Sequence, residues 1–115
     1  NNLVPKVDVN ETITNIIIEI SSKRLGATAV LDNEKLVGIV TDGDLRRMIQ
    51  DHPDYQNLKA INIMTKQPQT INKTELVVGA LNLMREKNIT QLPVLDGDKY
   101  FGIIHLHDIL KEGIL

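Results

Sequence analysis

The chain has 115 residues, 42% of them hydrophobic and none of them cysteine, with a formal net charge of −2. Such a length holds one domain, or two half-domains around a shared core. The charge balance leaves no basic face for nucleic acid, the missing cysteine excludes disulfides and thiolate metal sites, and no apolar run nears the roughly 18 residues that a membrane span needs.

Aromatic residues are only 3% of the chain, so isoleucine, leucine and valine must fill its core. The start at Asn1-Asn2, without methionine or signal peptide, predicts a piece of a longer cytoplasmic protein. Residues 1–6 read as a lead-in that Pro5 keeps extended. Val7 and Val9 flank Asp8 as a short strand, and Asn10 or Thr12 can cap the helix that follows. In that helix Ile13, Ile16, Ile17 and Ile20 recur at i, i+3, i+4 and i+7, which predicts one buried stripe. Isoleucine is a poor helix former, so burial must hold the segment. Lys23-Arg24 suit its C-terminal end, and Gly26 can terminate it. Residues 27–31 read as a buried strand, Asp32-Asn33-Glu34 as a turn, and 35–40 as the returning strand of a hairpin. Thr41 can then cap a helix, with Asp44 in its first turn and Leu45, Met48 and Ile49 on its apolar side. Asp51-His52-Pro53-Asp54 is a loop, and Leu58, Ile61, Ile63 and Met64 suggest a short helix or turn before Thr65.

The same order then returns about 64 residues later. A strand starts near Gln69-Thr70-Ile71, and Thr74 can cap a helix with Val77, Ala80, Leu81 and Met84 on one side. Residues 92–95 are the next strand, Asp96-Gly97-Asp98 the turn, and 100–104 the return. Leu106, Ile109, Leu110 and Gly113 make the last stripe. The expected fold is α+β: strand-helix-strand-strand-helix, written twice, packed face to face as a pseudo-twofold pair. The first repeat spans 1–52, a linker with a short opening helix 53–68, and the second repeat 69–115. That packing is expected to bring both strand-to-helix junctions to a cleft, where small ligands bind.

Each junction has a plain reading beside a functional one. Thr41 and Asp44 make a helix cap worth about 1 kcal/mol. Alternatively, Asp44 accepts hydrogen bonds from ribose hydroxyls while Thr41 holds a phosphate oxygen. His105 stands where the first copy has Thr41, and Asp108 where it has Asp44. An imidazole at a helix start can donate to a phosphate or carboxylate, or can simply lie exposed in a loop. A metal at His105, His107 and Asp108 would need further ligands, and none is expected. Arg46 and Arg47 read as a solvated face, unless Arg47 reaches the cleft and pairs with an anion. No nucleophile–base pair and no glycine-rich phosphate loop is present, so the chain is not read as an enzyme and needs no cofactor.

Gly38-Ile39-Val40-Thr41-Asp42-Gly43-Asp44, Leu92-Pro93-Val94-Leu95-Asp96 and Ile63-Met64-Thr65 resemble the motifs of the cystathionine β-synthase (CBS) domain pair, the Bateman module. The run Thr41-Asp42-Gly43-Asp44-Leu45-Arg46-Arg47, with His105-Leu106-His107-Asp108-Ile109-Leu110, is similar to the CBS tail of bacterial arabinose-5-phosphate isomerases. Leu25-Gly26 and Ala80-Leu81-Asn82-Leu83-Met84 are similar to that family too. His105 departs from the usual threonine, and the first repeat's own Met-Thr opening is absent.

The resemblance implies a regulatory tail on an enzyme supplying Kdo for lipopolysaccharide or capsule, preceded by a sugar isomerase (SIS) domain. It implies that Ala27, Thr28, Ala29, Gln91, Leu92 and Pro93 offer backbone groups and small side chains to a base. With Thr41, Asp44, Arg47, His105, His107 and Asp108 they form the expected ligand site. The ligand would be a nucleotide, either AMP or ATP or the pathway's CMP-Kdo, whose carboxylate or phosphate the histidines would suit. The alternative is a ligand-independent oligomerisation element, since such pairs associate as homodimers through their helices.

Overall fold

The computed structural model describes residues 4–23 and 26–111, with side chains for all of these except 76–78 and 111. Arg24, Leu25, Gly113 and the side chain of Val77, invoked above, lie outside the described residues.

Strand β1 (Lys6–Asp8) is followed by α1 (Ile13–Lys23), whose first turn is capped by the Thr12 hydroxyl accepting from Asn15 N–H at 3.3 Å. Ile13, Ile16 and Ile20 are buried. Ile17 is not: it is 41% exposed, because the seam onto the sheet is narrower than the four-isoleucine stripe. The chain returns through β2 (Ala27–Asp32) and β3 (Lys35–Thr41), joined by Asn33 and Glu34, both with positive φ as a two-residue hairpin turn demands. Helix α2 (Asp42–Asp51) buries Met48 and half-buries Leu45, but leaves Ile49 exposed, again against the expected stripe. A 3₁₀ turn at Tyr55–Asn57 and the short α3 (Ala60–Ile63) lead into β4 (Thr65–Lys66).

The second copy runs β5 (Ile71–Asn72), a 3₁₀ turn at Lys73–Glu75, α4 (Leu76–Lys87), β6 (Gln91–Asp96), β7 (Lys99–His105) and α5 (Leu106–Lys111). Thr74 does not cap α4; its N–H and hydroxyl both donate to Asn72 Oδ1, and Glu75 holds the cap position instead. Met84 and Ala80 are buried, whereas Leu81 is only half-buried and Leu110 is 49% exposed.

The duplication is legible residue by residue in the pairing. In the first sheet Val7 pairs Val30 in parallel and Val30 pairs Gly38 in antiparallel; in the second, 64 positions on, Ile71 pairs Val94 and Val94 pairs Gly102. Both hairpins carry the same irregularity, between Val30/Leu31 and Val94/Leu95. The sheets differ at one edge. β4 adds to β3, making the order β1-β2-β3-β4, while the second sheet is β5-β6-β7 among the described residues. Gly38 permits that addition: a Cβ there would meet Met64 Sδ at 2.5 Å and the Thr65 carbonyl oxygen at 3.0 Å. The linker is laced to the first repeat as well, through Ala60 N–H to Glu11 O and Ile61 N–H to Val9 O.

Each repeat has its own core, around Ile16, Val30, Val40 and Met48 in one and Leu92, Val94 and Met84 in the other. A third cluster of Ala27, Ile39 and Ile103, with Tyr100 against it, joins the two sheets where β7 meets β2 and β3. The α+β tandem fold is therefore as expected. No helix among the described residues is long and apolar enough to cross a membrane.

Tyr100 tightens that junction. Its hydroxyl donates to the Pro5 carbonyl, and burial first, then the nearby Glu19 charge, push the phenol well above its ordinary range. The folded chain thus holds the proton more tightly than the unfolded chain. Its contribution is complete below the usual phenol range and fades as pH rises above about 10. Tyr100→Phe should lower stability by about 1 kcal/mol at neutral pH and flatten the alkaline decline. Urea midpoints against pH check this; parallel declines in both proteins would contradict it.

Candidate functional site

The β3–α2 junction is built around one buried carboxylate. Asp44 is 5% exposed, and its Oδ2 accepts from the Thr41 N–H at 2.9 Å and the Thr41 hydroxyl at 3.2 Å. Thr41 Oγ1 in turn accepts from Asp44 N–H at 3.3 Å, closing a reciprocal capping box. Asp44 Oδ1 accepts from Arg47 Nη2 at 2.6 Å and from the Thr65 hydroxyl at 3.0 Å. A carboxylate only accepts, so both threonine hydroxyls spend their single proton on Asp44. Thr41 therefore has no proton to offer a phosphate while this arrangement holds, and Asp44 meets a ribose diol only by giving up a present partner.

Thr41 and Thr65 also line a cleft of about 310 Å³ between the two repeats. Ile39 stands beside Thr41 on β3, and Gln67, Pro68 and Gln69 continue the wall after β4. Ile89, Gln91 and Pro93 face them from the second repeat. Gly26 runs close beside this wall, since a Cβ on it would lie 2.8 Å from Gln91 Nε2 and 3.2 Å from Asp42 Oδ2. Its φ of +71° suits glycine in any case.

Of the residues expected at a ligand site, Thr41, Gln91 and Pro93 line this cleft. Ala27, Thr28, Ala29 and Leu92 are fully buried strand residues; the Thr28 hydroxyl donates to Ala29 O at 3.3 Å. Asp44 sits behind the two threonines. Arg47, 64% exposed in its side chain, borders a separate dent of about 160 Å³ between α2 and α3, with Asp51, His52 and Asn62. The β7–α5 junction does not reach the cleft. There His105 Nδ1 accepts from His107 N–H at 2.9 Å, so the imidazole does the capping that Thr41 does in the first copy. His107 and Asp108 are exposed. Among the described residues no three His, Asp or Glu converge to hold a metal.

Sequence reasoning missed Ile39, Thr65, Gln67, Pro68, Gln69 and Ile89. The Met64-Thr65 motif was visible, but its pairing with β3 is a long-range contact. Gln67 adopts a φ of +50°, for which its residue type gives no signal.

The CBS domain family model matches residues 4–51 and 59–114. This chain belongs to the CBS domain family. Among curated relatives, the uncharacterized protein RP505 of Rickettsia prowazekii is 46% identical over 112 residues, covering 96% of this chain and 34% of that protein. The arabinose 5-phosphate isomerase KdsD of Salmonella typhi is 39% identical, and that of Escherichia coli K12 35%, each over 97% of this chain and 34% of the relative. The CBS pair thus spans about a third of the length of these relatives. Among solved structures, the CBS domain NE2398 superposes with a TM-score of 0.87 at 27% identity, covering 97% of this chain and 88% of that one. The CBS domain protein PAE2072 from Pyrobaculum aerophilum, complexed with AMP, gives 0.84 at 22% identity, covering 97% and 92%.

In the CBS pair the buried Asp44 is the costly group to disturb. Asp44→Ala leaves Thr41 and Thr65 donors without their acceptor and should lower stability by about 3 kcal/mol. Arg47→Ala takes one of four donors from that carboxylate and leaves both threonines in place, so it should cost less, about 1–2 kcal/mol. Denaturant melts of the two variants check the contrast, and equal losses would refute it.

Proposed function

We propose that this CBS pair is a non-catalytic ligand sensor that binds a nucleotide in the inter-repeat cleft and reports its occupancy to an attached arabinose 5-phosphate isomerase domain. The observation that carries this reading is the cleft itself. It lies between the two sheets, mixes apolar walls with a few polar groups, and has about the volume of a small-ligand pocket. The KdsD relatives, of which this chain spans about a third, support the choice of partner enzyme. Two CBS proteins of similar fold, CBSX2 and the Pyrobaculum aerophilum protein, are solved with AMP, which supports a nucleotide as ligand. The candidates are an adenine nucleotide and CMP-Kdo, the latter as a feedback signal in a cytoplasmic Kdo pathway. Control of the enzyme follows if the ligand prefers one of two arrangements of the module.

A second reading is a homodimerisation element. Ile17, Ile49 and Leu110 are exposed on α1, α2 and α5, which favours an association surface on the helices. Calorimetric titration of the chain with AMP, ATP, CMP and CMP-Kdo, beside light scattering of Asp44→Ala and His105→Ala variants, separates the two. Heat from at least one nucleotide is expected. Assembly that is intact in all three proteins, with no heat from any ligand, would leave only the scaffold.

A further inference from the structure

We propose that Tyr100 is a latch: it fastens Pro5, where the chain enters the first repeat, to the second repeat, and so passes the arrangement of the two repeats to whatever precedes β1. This rests on the ligand-sensing reading above and names the contact through which occupancy leaves the module.

Pro5 is fully buried, and its carbonyl accepts from both repeats. Ala29 N–H on β2 donates to it at 3.2 Å, and so does the hydroxyl of Tyr100 on β7, 95 residues further on. A carbonyl oxygen has two lone pairs, so the two donors do not compete. One residue later, Lys6 N–H donates to Glu19 Oε2 on α1 at 3.3 Å, and the Lys23 ammonium holds the same oxygen at 3.1 Å. The entry is thus gripped by two elements of its own repeat and one of the other. β1 needs the hold, because it is 3 residues long, lies at the edge of its sheet and pairs with β2 alone. A short edge strand opens at low cost.

The latch is one-sided. Leu36, which pairs with Leu31 as Tyr100 pairs with Leu95, holds the corresponding place in the first repeat. Leucine has no hydroxyl to donate, and Leu36 borders an open cavity of about 370 Å³ instead.

The latch also stands on the strand pair that walls the cleft. Gln91 and Pro93 face the cleft from β6, and Leu95 on the same strand is the partner of Tyr100 across the ladder. A ligand that draws β6 toward β3 shifts the Tyr100 hydroxyl relative to Ala29, and the Pro5 carbonyl then follows one donor or the other. While the bond holds, the entry of the chain moves with the second repeat.

Amide hydrogen exchange on the whole chain, read by NMR, tests this. The Ala29 and Val9 amides report on β1, since Ala29 donates to Pro5 and Val9 to Leu31. The Ala80 and Met84 amides of α4 report on the fold at large. Tyr100→Phe should speed exchange at Ala29 and Val9 by at least about tenfold more than at Ala80 and Met84. Ile109→Val, a loss of similar size in the second core, should single out neither pair. Saturating AMP or CMP should change the ratio of the two pairs by at least about threefold in the native chain. In Tyr100→Phe that change should vanish, with nucleotide affinity kept within about threefold. A Tyr100→Phe chain in which all these amides speed up alike would overturn the latch. A nucleotide that binds and leaves the native ratio unchanged would overturn the coupling while the sensor's binding stands. No binding of either nucleotide would sink the sensor reading and the coupling with it, and the ligand-free ratio would still decide the latch.

Discussion

Everything near the cleft depends on one buried carboxylate being fully partnered. Asp44 draws two donors from Thr41, one from Thr65 and one from Arg47. A buried charge left short of partners costs several kcal/mol, so these groups are held where Asp44 needs them. Two of the four come from the strand end that starts α2, and one comes from β4, 21 residues further on. The carboxylate thereby ties the first helix to the linker strand, and the tie sets the floor of the cleft. Helix capping and cleft construction are the same interaction here. Among the described residues no buried side-chain polar atom lacks a partner, as such a core requires.

The two halves share a register yet are filled differently, and the differences decide where space remains. Tyr100 closes the junction by reaching the Pro5 carbonyl; Leu36, its counterpart, borders an open cavity of about 370 Å³ with Pro68. Val37 is packed against the first core, whereas its counterpart Phe101 is 51% exposed with the Lys73 ammonium 5.2 Å from its ring centre. Thr41 caps with a hydroxyl and His105 with a ring nitrogen. Asp44 is buried behind β4 while Asp108 is exposed. Duplication fixes the backbone in each half; single side chains then differ, and the inter-repeat cleft meets the first junction through Thr41.

Local signals carried most of the fold. The Thr41–Asp44 cap, the Asn33-Glu34 turn and the repeated strand-helix order were legible because each rests on neighbours in sequence. Ile17 and Ile49 failed as core residues because a helical stripe tells which face is apolar, not how much of it the sheet covers. Thr74 failed as a cap because it folds back onto Asn72 Oδ1 inside a 3₁₀ turn, which puts Glu75 at the cap position. The site was read less well. Its floor needs the pairing of Thr65 with Ile39, and its far wall needs Gln91 opposite Gln67, both long-range contacts without a local mark. Ala27, Thr28 and Ala29 hold the same repeat positions as Gln91, Leu92 and Pro93, yet Ala27 packs into the sheet–sheet core, Thr28, Ala29 and Leu92 are fully buried, and Gln91 and Pro93 line the cleft.

The most direct test of the account is a crystal structure of this chain soaked with a nucleoside monophosphate. The account predicts density between β3–β4 and β6, in the cleft lined by Thr41, Thr65 and Pro93. Density at the β7–α5 histidines with the inter-repeat cleft empty would contradict it.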